Sequence, residues 1–249
     1  MRPYLTGDDL VNDPEQRARR FIIDFGTMSL ERAASYEYAI AILRERVKPV
    51  RDRDPAFADN WWKHWRPRPE MRKAIRGLER LIVGTNTAKR ILFAWCDPWV
   101  CPSHAVNVFA FDDDFAIGVL SSRVHTEWAR AQSSTLEDRI RYTPSTAFET
   151  FPWPQREDRG PVAAASRAVV ARRSEICVER QIGLTTLYNE VDDGAYRDLR
   201  DLHSALDEAV AAAYGWPASA AHDPAESNRL LLELNRAISA GEVAYHPFD

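Results

Sequence analysis

Apolar positions recur along the chain with two periods, and the change of period divides it. After a polar entry loop, Arg20-Phe21-Ile22-Ile23-Asp24-Phe25 is an apolar, partly β-branched run that stops at Gly26 and predicts a strand. From 29 to 47 the residues Ala33, Tyr36, Ile40 and Leu43 fall at helical spacing, with Ser29 as N-cap and Pro49 ending the pattern. A proline-interrupted polar stretch over 52–70 holds Trp61, Trp62 and Trp65, and a short basic helix over 69–78 follows. Three apolar runs, 80–84, 91–95 and 105–111, predict strands joined by polar loops, and 116–131 predicts a helix. A polar segment, 135–146, leads into Phe148-Glu149-Thr150-Phe151-Pro152-Trp153-Pro154.

Beyond a linker at 155–161 the period is helical throughout. Helices are predicted over 162–183, 196–214 (closed by Gly215 and Pro217) and 228–240 (closed by Gly241). The pattern predicts an α/β chain: a mixed-sheet domain over 1–155 followed by a small all-α tail over 156–249.

Composition changes this picture in two ways. At 45% hydrophobic and 28% charged residues, the chain has the material for a core and is not of disordered type. The net charge of −4 argues against a nucleic-acid partner, but its distribution argues for one. Residues 44–90 carry 14 Lys and Arg against 6 Asp and Glu, whereas 156–249 carry 10 against 16. A solvated helix face is the plainer reading of such a run. Three cysteines, Cys96, Cys101 and Cys177, fit a reducing compartment better than a disulfide framework. The N-terminus lacks a signal-peptide core, and no apolar run has membrane length, so a soluble, cytoplasmic protein is expected.

Catalytic patterns are missing. The chain has no Gly-rich strand–loop–helix cradle for S-adenosylmethionine and no Asn/Asp-Pro-Pro-aromatic segment to hold an extruded base. It has no phosphate loop or dinucleotide fingerprint either. Asp24-Phe25-Gly26 spells a kinase tripeptide, but without its companion motifs it is read as a strand end. Cys96, Cys101 and His104 have ligand chemistry without the paired spacing of a zinc site. Arg123 and His125 are read as structural, holding a helix to the sheet.

The order of several short motifs is more specific. Arg2-Pro3-Tyr4-Leu5-Thr6-Gly7-Asp8-Asp9-Leu10 opens the series and Phe21 to Phe25 follows. Then come Arg46-Val47-Lys48-Pro49, Trp61-Trp62 with Arg66-Pro67-Arg68-Pro69, Arg80 to Val83, and Gly118 to Trp128. Arg141-Tyr142, Thr146 and Phe151-Pro152-Trp153-Pro154 close it. This ordered set resembles the target-recognition region of MmeI-like (type IIG and IIL) enzymes, single-chain restriction-modification methyltransferases with relatives in phage defence. Gly183 to Asn189 and Ala213-Tyr214-Gly215-Trp216 resemble the helical tail of the same enzymes. The resemblance implies sequence-specific binding of double-stranded DNA, and no catalytic residue in this chain. It also implies an upstream methyltransferase domain or subunit that holds S-adenosylmethionine, with adenine-N6 as the expected target.

DNA reading needs cations for phosphates and a few side chains for base edges. Lys63, Arg66 and Arg68 are the candidates for phosphate contacts. The loop with Asn86, Thr87, Lys89 and Arg90 carries residue types suited to adenine and guanine. Ser103 and His104 in the next loop, and Asp138-Arg139-Ile140-Arg141 further on, are expected at the same sheet edge. Arg141-Tyr142 is the first choice for readout. Asn86 also suits a plain turn, and the tryptophans suit packing better than base stacking. Two other readings stay open: a protein-interaction module acting through the tail, and a hydrolase with an unrecognised site.

Overall fold

The computed structural model describes residues 1–136, 139–155 and 157–248. The chain opens with a strand, where a polar loop was expected. β1 (Arg2–Leu5) runs into α1 (Gly7–Asn12), and β2 (Arg20–Ile22) returns antiparallel to β1 with Pro3 opposite Phe21. Four residues are too few for alternation to show, and tertiary pairing makes the strand. Thr6 caps α1 by a capping box with Asp9. β2 stops at Ile22, short of the predicted end. Asp24 then accepts the Gly26 N–H at 2.9 Å and pairs with Arg2 and Arg72, so the Asp-Phe-Gly tripeptide is a turn.

The helix predicted over 29–47 is two: α2 (Leu30–Ala34) and α3 (Glu37–Arg46). Ser29 does cap the first, accepting the Arg32 N–H. The break falls where Ser35 Oγ donates to the Arg32 carbonyl and Tyr36 leaves helical geometry. Short helices α4 (Lys48–Arg51), α5 (Pro55–Ala58) and α6 (Pro69–Ala74) each carry a proline in the first turn. Trp61 is buried with Phe25, Ala33 and Ile40 in a small cluster of its own, and Trp62 Nε1 donates to the Met28 carbonyl.

The next strands are β3 (Leu81–Thr85), β4 (Thr87–Ala88), β5 (Phe93–Cys96), β6 (Cys101–Pro102) and β7 (Val106–Phe109). β3 lies between β5 and β7, antiparallel to both, with Val83 opposite Ala94 and Val108. Every residue of β3 is buried, which explains its unbroken apolar run. β6 pairs in parallel with β1. The helix predicted over 116–131 is again two, α7 (Asp114–Ser121) and α8 (Arg123–Gln132). Ser122 separates them: its Oγ donates to the Val119 carbonyl and accepts the His125 N–H, closing one helix and capping the next. β8 (Ser134–Leu136) and β9 (Arg139–Arg141) follow, inside a segment whose polarity hid them, and then a π-helical turn over Pro144–Phe148.

The tail consists of α9 (Gly160–Arg180), α10 (Leu184–Asp192), α11 (Arg197–Ala213), α12 (Ala218–His222) and α13 (Pro224–Ser239), with no strand among its described residues. The fold is thus small mixed sheets followed by helices. One buried cluster joins them: Ile82 and Phe93 from the sheet, Ile117 from α7, Val169 from α9, Leu206 from α11 and Leu231 from α13.

Two glycines record how closely the tail is seated. A Cβ at Gly118 on α7 would stand 2.9 Å from Ser166 Cβ and 3.0 Å from Val162 Cγ1, both on α9. One at Gly183 would stand 2.3 Å from Asn12 Cα, at the end of α1. Added volume at such sites costs about 1–3 kcal/mol. Gly183→Ala and Gly118→Ala should each lower the unfolding free energy by that amount, read as a lower urea midpoint at an unchanged m-value. The Gly183 effect should be the larger, because backbone rather than side chain must yield. A Gly183→Ala midpoint equal to wild type would refute the close seating on α1.

Candidate nucleic-acid interface

β9 is the natural starting point. Its three residues alternate, with Arg139 and Arg141 exposed on one face and Ile140 buried on the other. It pairs with β4, placing Arg141 opposite Thr87 and Ile140 opposite Ala88. The Tyr142 N–H donates to the Asn86 carbonyl at 2.8 Å, and the Asn86 N–H donates to the Ala105 carbonyl at 3.1 Å. Three loops distant in sequence are therefore fastened side by side.

What fixes β9 in place is a buried polar contact. The Tyr142 hydroxyl donates to His125 Nε2 at 3.2 Å, and His125 Nδ1–H donates to the Leu120 carbonyl at 2.9 Å. Both side chains are almost wholly enclosed, and the rings of Phe93 and Phe151 pack against the imidazole. Burial pushes His125 down to about 4, so the ring is neutral and one nitrogen is free to accept. The helix–sheet role expected of His125 is the one it has. Tyr142 itself cannot reach a base edge, because its ring fills the core.

Arg141 opens onto a cleft of about 1670 Å³ that runs between the sheet loops and the tail. Asn86, Thr87, Lys89 and Arg90 line it from the β3–β5 connection, and His104 from the next loop. Arg66 and Arg68 line it from the segment before α6; Arg68 has φ +51, a left-handed residue held between two prolines. Eight of the expected residues are thus brought together. Four are not. The Lys63 ammonium lies 4.9 Å over the Trp62 ring, away from the cleft lining. Ser103 is buried, and its Oγ accepts the Ala105 N–H. Arg139 is exposed but not part of the lining, and Tyr142 is in the core. Asp138 lies outside the described residues.

Helices supply the cations that the loops did not reveal. Arg123 and Arg130 come from α8, Arg173 from α9 and Arg200 from α11. The lining holds nine Lys and Arg against four Asp and Glu. The acidic groups are already engaged. Asp192 pairs with Arg90, Glu127 lies 3.7 Å from Arg130, Asp8 accepts from Asn12, and Asp207 accepts the Arg123 backbone N–H at 2.7 Å. By contrast Arg66, Arg68, Lys89, Arg141 and Arg200 make no ion pair among the described residues. Such a lining attracts polyanions.

One missed residue had a signal. The buried face of α9 reads Val162, Ser166, Val169, Arg173, Ile176, and a charge inside that stripe is out of place. Arg200 had none, being one of many exposed arginines. Among the described residues no group of three or more His, Cys, Asp or Glu is placed to hold a metal. Cys96 is a thiol pushed up to about 12 by burial. No described helix is long and apolar enough to cross a membrane.

The fold and cleft define a class: a mixed α/β domain with a helical tail, and a cationic groove between them. Residues 1–155 match the family of the MmeI target recognition domain, and the chain belongs to that family. A solved structure, "Structure of Type IIL restriction-modification enzyme MmeI in complex with DNA has implications for engineering of new specificities", superposes with a TM-score of 0.77 at 21% identity. The match covers 96% of this chain, tail included, and 31% of that protein, so this chain spans less than a third of its length. At that identity the likeness is one of fold. No curated protein matches the chain.

The histidines give the site a pH signature. His203, on the cleft wall, is pushed down to about 4, first by burial and then by the charges of Arg173 and Arg90. With folded values near 4 and an unfolded value near 6.5, the unfolded chain takes up protons first. The stability tied to these rings is complete above pH 6.5 and is lost as pH falls toward 4, by about 3 kcal/mol for the fully enclosed His125. Asp207, pushed up to about 6 by burial, acts oppositely over pH 6 to 3.8, one group against two. Urea unfolding at a series of pH values should show stability declining from pH 6.5 to 4, with a shallower decline in His125→Gln. Equal slopes in the two proteins would remove His125 from the account.

Proposed function

We propose that this chain reads the sequence of double-stranded DNA on behalf of a restriction-modification methyltransferase. The observation that carries this reading is the cleft. Its unpaired cations surround two strand-joined loops whose lining residues, Asn86, Thr87, Lys89 and Arg141, are of the types that recognise base edges. Arg66 and Arg68, beside that edge, suit phosphates, which set affinity and register. The structure named after MmeI in complex with DNA has the same fold, which favours the same partner.

Methyl transfer, with adenine-N6 as the target, belongs in this reading to a methyltransferase domain or subunit beside the chain, and defence against phage is the biological setting. S-adenosylmethionine would be held there. The cleft here does not fit it: a sulfonium cation gains nothing from a lining with nine Lys and Arg.

The test is an anisotropy titration of labelled duplexes at several salt concentrations. Log affinity should fall linearly with log salt, with a slope of about −0.9 for each phosphate contact. Arg66→Gln and Arg68→Gln should weaken binding to all duplexes alike and make that slope shallower. Arg141→Ala should cost about 1–3 kcal/mol on a preferred duplex and much less on others. Lys63→Ala, outside the cleft, should change neither. Absence of salt-dependent duplex binding by the wild-type chain would overturn the reading and leave a protein-interaction role.

A further inference from the structure

The cleft wall contributed by the tail contains an arginine whose position nothing internal explains. Arg173 is 4% exposed and sits on the apolar stripe of α9 between Val169 and Ile176. It makes no ion pair and no hydrogen bond among the described residues, and its Nε is enclosed without a partner. Native proteins rarely bury a charge without compensation, because desolvation is costly and a hydrophobic residue would serve packing better. The guanidinium also borders the cleft. Arg173 and Arg90 both press their charge on the imidazole of His203. Arg90 lies 5.0 Å over the Tyr188 ring and pairs with Asp192, which leaves that carboxylate occupied. His203 holds the Tyr188 hydroxyl at 2.9 Å, and Arg200 opens onto the cleft one turn earlier on α11.

We propose that Arg173, with Arg200 on the same cleft wall, is an anion seat that takes a phosphodiester of the DNA backbone, so that the helical tail grips the duplex opposite the reading loops. The planar fork of a buried guanidinium suits two phosphate oxygens at once. Its burial presets the geometry, so no side-chain freedom is lost on binding. Exposed lysines would provide attraction without a fixed point. A seat of this kind gives the duplex one register against the tail while Arg141 and Asn86 face it from the sheet. This rests on the DNA-reading function proposed above and adds a second wall to it.

The experiment compares the wild-type chain with Arg173→Met and Arg173→Lys in anisotropy titrations on a preferred and an unrelated duplex. Arg173→Met should lose roughly tenfold or more in affinity for both duplexes alike, the size of a hydrogen-bonded charge contact, and its salt slope should be shallower by about 0.9. Its thermal midpoint should hold or rise, because an uncompensated charge has been replaced by an apolar chain of similar length. Arg173→Lys keeps the charge and loses the fork, so it should bind more weakly with the slope kept. It also decides the matter if the Met variant does not fold. A last arm melts the wild type in inorganic phosphate and in chloride at equal ionic strength. Stabilisation by phosphate that vanishes in Arg173→Lys shows an oxyanion seat, and the duplex titrations show that DNA is what fills it. Wild-type binding with unchanged affinity and slope in both variants would overturn the seat and leave the reading function standing. No binding by wild type would overturn both.

Discussion

The contact between His125 and Tyr142 decides where the exposed face of β9 can be. Tyr142 follows Arg141 directly, so burying its ring against α8 forces Arg141 to the other side of the strand and out to solvent. The bond works because the imidazole is neutral: Nδ1–H is committed to the Leu120 carbonyl, and Nε2 accepts the phenol. A one-residue slip of β9 would put Arg141 in the core and Tyr142 in the cleft. The aromatic packing of Phe93, Phe109 and Phe151 around the pair makes that slip unaffordable. The side chains at 139 and 141 can vary while this anchor holds the backbone of β9.

The anchor is itself held by the tail. α8 carries His125, and its first turn is capped twice, by Ser122 from within and by Asp207 from α11. Asp207 is nearly buried and pushed up to about 6, so a carboxylate is kept in an unfavourable place for the sake of one N–H. The close crossing at Gly118 seats α9 on α7, which itself packs on β5, and α9 carries Arg173 to the cleft. The same contacts that fill the core therefore bring Arg173 and Arg200 to face the 86–90 loop and Arg141 across the cleft.

Long apolar runs were legible in the sequence. β3, β5 and β7 stand within about two residues of their expected places, because a buried strand writes itself as consecutive hydrophobic residues. Three of the tail helices, α9, α11 and α13, were legible from period and from Gly215 and Gly241, both with positive φ, whereas α10 and α12 were not expected. Short elements whose partners lie elsewhere were not. β1 has only four residues and depends on β2 and β6, β8 has three and depends on β9, and β9 is polar on its open face. The breaks at Ser35 and Ser122 left no trace in the apolar period, since a serine that bonds the helix backbone looks like any polar surface residue. At the site, residue type singled out Asn86, Lys89 and Arg141, which the fold places in the cleft lining, and also Tyr142 and Ser103, which it buries, and burial is something no local pattern reports. The tail arginines were hidden because they reach the cleft only through tertiary packing.

Net charge misleads for the same reason. The chain is acidic by four, and its tail carries 16 Asp and Glu against 10 Lys and Arg, yet the tail brings only Asp192 and Asp207 to the cleft, against Arg173 and Arg200, and leaves the excess of cations from residues 1–155 in force there. Much of the tail's acid is paired locally on exposed helix faces: Glu226 and Glu233 with Arg229, Asp198 with Arg172, Glu190 with Arg180. At physiological ionic strength screening acts over about 8 Å, so those paired groups contribute little to the field inside the cleft. Of the basic stretch, in turn, Lys48, Arg51, Arg72 and Arg80 are consumed by carbonyls and carboxylates of the fold. What a polyanion meets is the remainder: cations that the fold leaves unpaired, collected on one surface. The sign of the field is therefore set by which charges folding neutralises, and a sum over the sequence cannot report it.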